Sequence, residues 1–238
     1  MSRINVLPDE VLLEIFDLYL NTGTPYGKTE IEAWQSLVHV CRRWRSLVFR
    51  SPCRLNLRLV CTSATPARDS LDIWPALPII VSGYMTLTSG MGNIIAALWQ
   101  SNRVFQVSLW GLTRRQLEEV LAAMQVPFPE LTCLRLFLND ETAPVILDSF
   151  LGGSAQRLRI FELGGIPFMG LPNLLLSATR LITLHLFDIP HSGYISLEAI
   201  VAVLSGLSSL RSCCLGFRSP QSRPGWESPS IPPRSQLL

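Results

Sequence analysis

The sequence predicts an α/β protein in three parts: an N-terminal helical pair, an α/β solenoid of repeated strand-plus-helix units, and a disordered C-terminal tail. Three observations predict it. Apolar residues recur at helical spacing through residues 9–50, a short strand pattern returns five times between residues 104 and 215, and five prolines crowd the last 21 residues. Composition agrees: 48% of the residues are hydrophobic and 16% charged, against a usual charged share of about 25%. That balance excludes disorder for most of the length. The 20 basic residues (19 Arg and the single Lys28) against 18 acidic ones leave a net charge of +2. Such a field is too weak to draw in nucleic acid or an acidic membrane.

Residues 7–20, LPDEVLLEIFDLYL, place Val11, Leu12, Ile15, Phe16 and Tyr19 at i, i+4, i+8 spacing, the signature of one helix face. Pro8 falls near the first turn, where Asp9 and Glu10 complement the helix dipole. Asn21-Thr22-Gly23 and Thr24-Pro25 end this helix. A second helix is expected over about Ile31–Arg50, with Trp34, Leu37, Val38, Cys41, Trp44, Leu47 and Val48 on its apolar side and Ser51-Pro52 as its stop. Arg42-Arg43-Trp44-Arg45 reads as a solvated helix face, since no second basic run accompanies it.

No charged residue occurs from Ile73 to Asn102, a stretch long enough to cross a bilayer, and the mean hydropathy is +0.31. Pro75, Pro78, Gly83, Gly90 and Gly92 interrupt it, so it reads instead as a buried strand and turn followed by a helix over Ile94–Trp99. Residues 104–109 then carry Val104-x-x-Val107-x-Leu109, which returns from Leu131, Leu158, Leu181 and Leu210 at intervals of 27, 27, 23 and 29 residues. The copy from Leu131 extends to Asn139. Arg114–Met124 and Ser196–Leu204 read as helices between the strands, with Ser196 as an N-cap. The segment resembles leucine-rich repeats, whose periods run about 20–29 residues. One such unit cannot bury its apolar face alone, and stacking buries it between neighbours. The rival reading is a doubly wound α/β domain, which no glycine-rich phosphate loop supports. The tail from Arg218 is too rich in Pro and Ser to make a packed core. It offers no polar cap for the repeats, so a shortened chain lacking further repeats is expected.

The six cysteines form no C-x-x-C pair and only three histidines accompany them, so buried, reduced thiols are expected, with no metal and no cofactor. Asp9, Glu10 and Glu14 fall inside the N-terminal apolar run, so no signal peptide is expected there, and the chain is expected in the cytoplasm or nucleus. No catalytic motif is present, His39, His185 and His191 have no carboxylate at a motif spacing, and Asp140-Glu141 reads as a solvated turn. The expectation is a protein without enzymatic activity.

Leu7-Pro8-Asp9-Glu10 with Ile15-Phe16, followed by Val40-Cys41-Arg42-Arg43-Trp44-Arg45-Ser46-Leu47, resembles an F-box over residues 4–52. The interval from Asn21 to Ala33 is longer than is usual there. Residues 75–217 look like the repeat domain of leucine-rich-repeat F-box proteins, especially the fungal ones, and 218–238 form the tail. The resemblance implies a substrate receptor of a Skp–cullin–F-box ubiquitin ligase. It would dock the Skp adaptor, and through it a cullin, and hold an unknown protein substrate, catalysis being supplied by other subunits. The docking residues it implies are Leu7, Pro8, Ile15, Phe16, Leu37, Val40, Cys41, Trp44 and Leu47. A helical pair this small closes its own core poorly, so a partner's groove is a fitting complement. The same residues packing only against each other or the repeats is the other reading.

In each repeat strand the leucines point inward and the intervening positions outward. Gln106, Ser108, Trp110, Arg135, Phe137, Glu162, His185 and Phe187 are thereby expected on the open face, where aromatic rings beside an arginine suit a protein partner. Trp110, Arg135, Phe137, Glu162, His185 and Phe187 are the expected substrate contacts. A repeat scaffold with a degenerate F-box and no ligase role is the alternative function.

Overall fold

The computed structural model describes residues 7–21, 33–67, 71–72, 74, 76–85, 90–140, 144, 146, 148–167, 171–194 and 196–218. Lys28, Glu141, the interval 22–32 and the tail from 219 lie outside the described residues.

Helix α1 (Asp9–Asn21) starts directly after Pro8, with Asp9 and Glu10 in its first turn. It buries Leu12, Leu13, Phe16 and Leu20. The expected stripe is therefore divided, because Val11, Ile15 and Tyr19 face outward. Apolar residues nearly encircle this helix, so periodicity alone offers two faces and the packing of its neighbours chooses one.

The single helix expected over 31–50 is two: α2 (Ala33–Val38) and α3 (Arg42–Arg50). Cys41 is extended, with φ −159° and ψ 169°, a conformation no α-helix contains. The break strands carbonyls at the end of α2, and Arg45 Nε donates to that of Val38 at 3.0 Å. Trp34 is fully buried, donates from Nε1 to the Arg58 carbonyl at 2.9 Å, and packs edge-on against Trp74 with ring centroids 5.1 Å apart. It thus fastens the helical region to the start of the sheet.

The sheet comprises β1 (Leu59–Cys61), β2 (Ile79–Tyr84), β3 (Val104–Leu112), β4 (Cys133–Leu138), β5 (Ile160–Gly164), β6 (Thr183–Ile189) and β7 (Ser212–Phe217). All neighbours are parallel, and their order in the sheet is their order in the chain. The sheet begins ahead of the expected boundary at residue 75, because β1 is too short to show a period of two. Between the strands lie α4 (Met91–Leu98), α5 (Arg114–Ala123), α6 (Leu171–Ser177), α7 (Leu197–Gly206), a kinked turn at Phe150–Gly153 with Leu151 and Gly152 left-handed, and a 3₁₀ turn at His191–Gly193. The charge-free stretch 73–102 thus contributes β2 and α4, and no helix among the described residues is long and apolar enough to cross a membrane.

Local chemistry explains the helix starts. Thr113 and Gln116 form a reciprocal capping box on α5, and the Asp140 carboxylate accepts from the Arg114 backbone N–H. Asp140 therefore does structural work rather than standing solvated. Ser196 caps α7 by accepting from the Ala199 N–H at 3.2 Å.

Register aligns the repeat positions across the sheet. Val107, Leu134, Phe161, Leu184 and Cys213 form one row, and Leu109, Leu136, Leu163, Leu186 and Leu215 the next. The first four of each row are buried in a core shared with the connecting helices, including Leu117, Val120 and Leu174. On β7 the rows emerge: Cys213 is exposed and Leu215 only half-buried.

Candidate functional site

Two surfaces stand out. The first is on α1. Val11, Ile15 and Leu18 lie at i, i+4 and i+7 on its outer side and are 41%, 44% and 61% exposed. Pro8 before the helix, and Val40 and Cys41 in the break between α2 and α3, are exposed as well. Leu7 and Trp44 are half-buried, each packed against the core. Trp44 lies over Phe16 with centroids 4.7 Å apart, so α3 rests on α1 through these rings. Arg43 Nη2 donates to the Leu7 carbonyl and to Asp9 Oδ1, each at 2.6 Å, pinning the segment before α1 onto α3. Arg43 and Arg45 thus bind named carbonyls, while Arg42 and Arg45 remain exposed on the expected solvated face.

Of the nine expected docking residues, Pro8, Ile15, Val40 and Cys41 present surface, and Leu7 and Trp44 present part of theirs. Phe16, Leu37 and Leu47 are buried in the core, in line with the other reading of these positions as packing residues. They shape the face from beneath. Val11, Leu18 and Tyr19 are the exposed apolar residues that the docking assignment left out. The signal was available: a helix with apolar residues on both stripes has a second face to cover.

The second surface is the open face of the sheet. Ser108, Arg135, Glu162, His185 and Cys214 align in one row by register. Arg135 Nε donates to Glu162 Oε2 at 2.8 Å, His185 Nδ1 lies 3.5 Å from Glu162 Oε1, and His185 Nε2 is 2.9 Å from Ser212 Oγ. A continuous polar chain therefore crosses from β4 to β7. Ser108, expected on the surface, is buried under this layer and receives a hydrogen bond from Gln106 Nε2 at 3.2 Å.

Beside this row runs an aromatic one. Tyr84 pairs with Trp110 in register. Trp110 and Phe137 stack with centroids 6.4 Å apart and planes at 10°, and Phe137 and Phe187 at 6.2 Å and 25°. Gly164 makes the row possible: a Cβ there would stand 2.5 Å from Phe137 Cδ1, so the ring lies across β5 only because the side chain is absent. The six expected substrate contacts, Trp110, Arg135, Phe137, Glu162, His185 and Phe187, are brought together on this face, each half-buried. Flat apolar rings beside an internally compensated ion pair suit the holding of another chain.

The thiols divide. Cys61 and Cys133 are buried, whereas Cys41, Cys53, Cys213 and Cys214 are exposed, which corrects the expectation that all six are buried. Burial pushes the Cys61 thiol up to about 11 and raises that of Cys133, so both are neutral at physiological pH. Among the described residues no group of three or more His, Cys, Asp or Glu is placed to hold a metal ion.

A family model described as F-box-like matches residues 4–55, the segment that contains α1, α2 and α3. No curated protein matches the chain. The match supports an F-box protein with a role in protein–protein interaction, and F-box domains generally bind Skp-type adaptors.

Proposed function

We propose that this chain is a non-catalytic substrate receptor of a Skp–cullin–F-box ubiquitin ligase, working in the cytoplasm or nucleus. In this reading the helical face docks the Skp adaptor, the adaptor links it to a cullin, and the open face of a leucine-rich-repeat solenoid holds a protein substrate. The carrying observation is the exposed apolar stripe of Val11 and Ile15 on a helix inside the F-box-like match. Exposed carbon on two adjacent turns favours removal from water, at about 25 cal/mol per Å² of apolar surface covered. The recurrence of β3 to β7 at intervals of 23–29 residues and their parallel, sequential order support the repeat reading.

The test is a pull-down of the full chain with a purified fungal Skp adaptor, beside the Val11→Asp/Ile15→Asp variant. Capture of the wild type and loss of capture by a variant with an unchanged melting temperature is the expected result. No capture of the wild type overturns the receptor reading and leaves a repeat scaffold.

A further inference from the structure

The turns that lead from helix into strand form an edge that adaptor docking and the open face leave unused. Trp99, Val126 and Leu176 stand at or just past the ends of α4, α5 and α6. Each is five residues ahead of the first apolar residue of its strand unit, which is Val104, Leu131 and Leu181 respectively. They share one repeat position, so the stacking of units sets them along one edge. They are 63%, 48% and 63% exposed. Gly153 and Ser205 hold the same position ahead of β5 and β7. Pairing of Cys133 with Ile160, Ile160 with Thr183 and Thr183 with Ser212 keeps the starts of β4 to β7 level, so the edge is a straight front.

The same front is basic. Arg157 and Arg159 flank Leu158, Arg180 precedes Leu181, Arg211 follows Leu210, and all four arginines are exposed. Arg159, Arg180 and Arg211 line a concavity of about 500 Å³, and Arg180 shares a second of about 600 Å³ with Arg157. Within residues 99–103, 125–132, 152–160, 176–183 and 205–212 the one acid is Glu130, which Arg157 holds. Asp148, whose carbonyl approaches Gly153, is the next acid to this edge, and the arginines stay in excess. The net charge of +2 conceals this local field, because Asp9, Glu14, Glu118 and Glu119 balance other arginines elsewhere in the chain.

We infer that this edge seats on an anionic lipid surface. Trp99, Val126 and Leu176 enter the headgroup layer, and Arg159, Arg180 and Arg211 meet the lipid phosphates and carboxylates. An indole suits that layer, since its body is apolar and its N–H is wet. Arginine stems lie along apolar surface while their guanidinium groups reach the headgroups. A level front fits a plane, and exposed aliphatic carbon at Val126 and Leu176 serves a lipid interface where it would serve no nucleic acid. The attachment is peripheral and electrostatically assisted. The inference goes beyond the receptor reading and does not depend on it.

The test is co-sedimentation of the full chain with phosphatidylcholine vesicles, with and without phosphatidylserine. Capture by the mixed vesicles is expected, at least about tenfold tighter than by the neutral ones. It is expected to fall as salt rises above about 0.15 M, where the screening length is about 8 Å. Arg159→Gln, Arg180→Gln and Arg211→Gln are each expected to weaken it about fivefold. Leu176→Ser is expected to weaken it at every salt concentration. Brominated lipid is expected to quench the tryptophan emission of the wild type, and Trp99→Phe to lose most of that quenching with its melting temperature unchanged. No capture of the wild type, equal capture by both vesicles, full capture of the triple arginine variant, undiminished quenching in Trp99→Phe, or tighter binding of a single-stranded oligonucleotide overturns the proposal. No adaptor is present in this assay, so its failure is separate from failure of the Skp pull-down.

Discussion

At the scale of single residues, Gly90 is the described glycine at which an added Cβ would meet its nearest neighbour most closely. Its φ is +95°, and a Cβ would stand 2.2 Å from the Ser63 carbonyl oxygen, which also accepts from Asn93 Nδ2 at 2.9 Å. Gly90→Ala meets both backbone strain and a fixed backbone atom, and is expected to cost about 2–3 kcal/mol in thermal or denaturant unfolding. The thiols give a chemical readout. Iodoacetamide at pH 8 is expected to modify Cys41 and Cys53 quickly and to leave Cys61 and Cys133 intact in the native protein, checked by peptide mass mapping. Because folding raises the Cys61 thiol to about 11, its neutral form favours the native state at every pH below its ordinary value of about 9. That contribution is lost as pH climbs from about 9 through about 11, and Cys61→Val is expected to flatten the alkaline side of the stability profile.

At the scale of elements, α1 separates stability from docking. Phe16→Ala empties a buried site and is expected to cost about 3–5 kcal/mol. Ile15→Asp changes an exposed site, and is expected to leave unfolding within about 0.5 kcal/mol of wild type while adaptor capture falls. The same helix shows what a sequence carries and what it withholds. The rows of the sheet are legible because each strand repeats its apolar positions and parallel pairing keeps like positions abreast. The aromatic and ionic residues of the open face follow from that alternation. The inward stripe of α1 is not legible, since both stripes are apolar and only the packed neighbours distinguish them. The break at Cys41 is hidden because Leu37, Val38, Cys41 and Trp44 keep a helical period straight through it. Arg159, Arg180 and Arg211, far apart in the chain, line one surface concavity only because the strands they precede lie side by side, which no local pattern shows.

At the scale of the whole molecule, cohesion is graded along the sheet. Leu136 is enclosed by strands on both sides, whereas Leu215 has, among the described strands, a neighbour on one side only and is half-buried. Leu136→Ala is expected to cost about 3 kcal/mol and Leu215→Ala about 1 kcal/mol, measured by urea unfolding. The core nevertheless runs unbroken from α1 to α7, so the helical region and the sheet stabilise each other through Trp34 and its neighbours.

The sheet places strands in the order in which they are made, each against the one just completed. A ribosome adds about 5–20 residues per second, while a local strand–helix unit forms in far less time. Every new strand is therefore expected to find its template already assembled, and the N-terminal helices are finished while β6 and β7 are still to be translated. Vectorial assembly from α1 toward β7 is the expected consequence of an order in which sheet and chain agree.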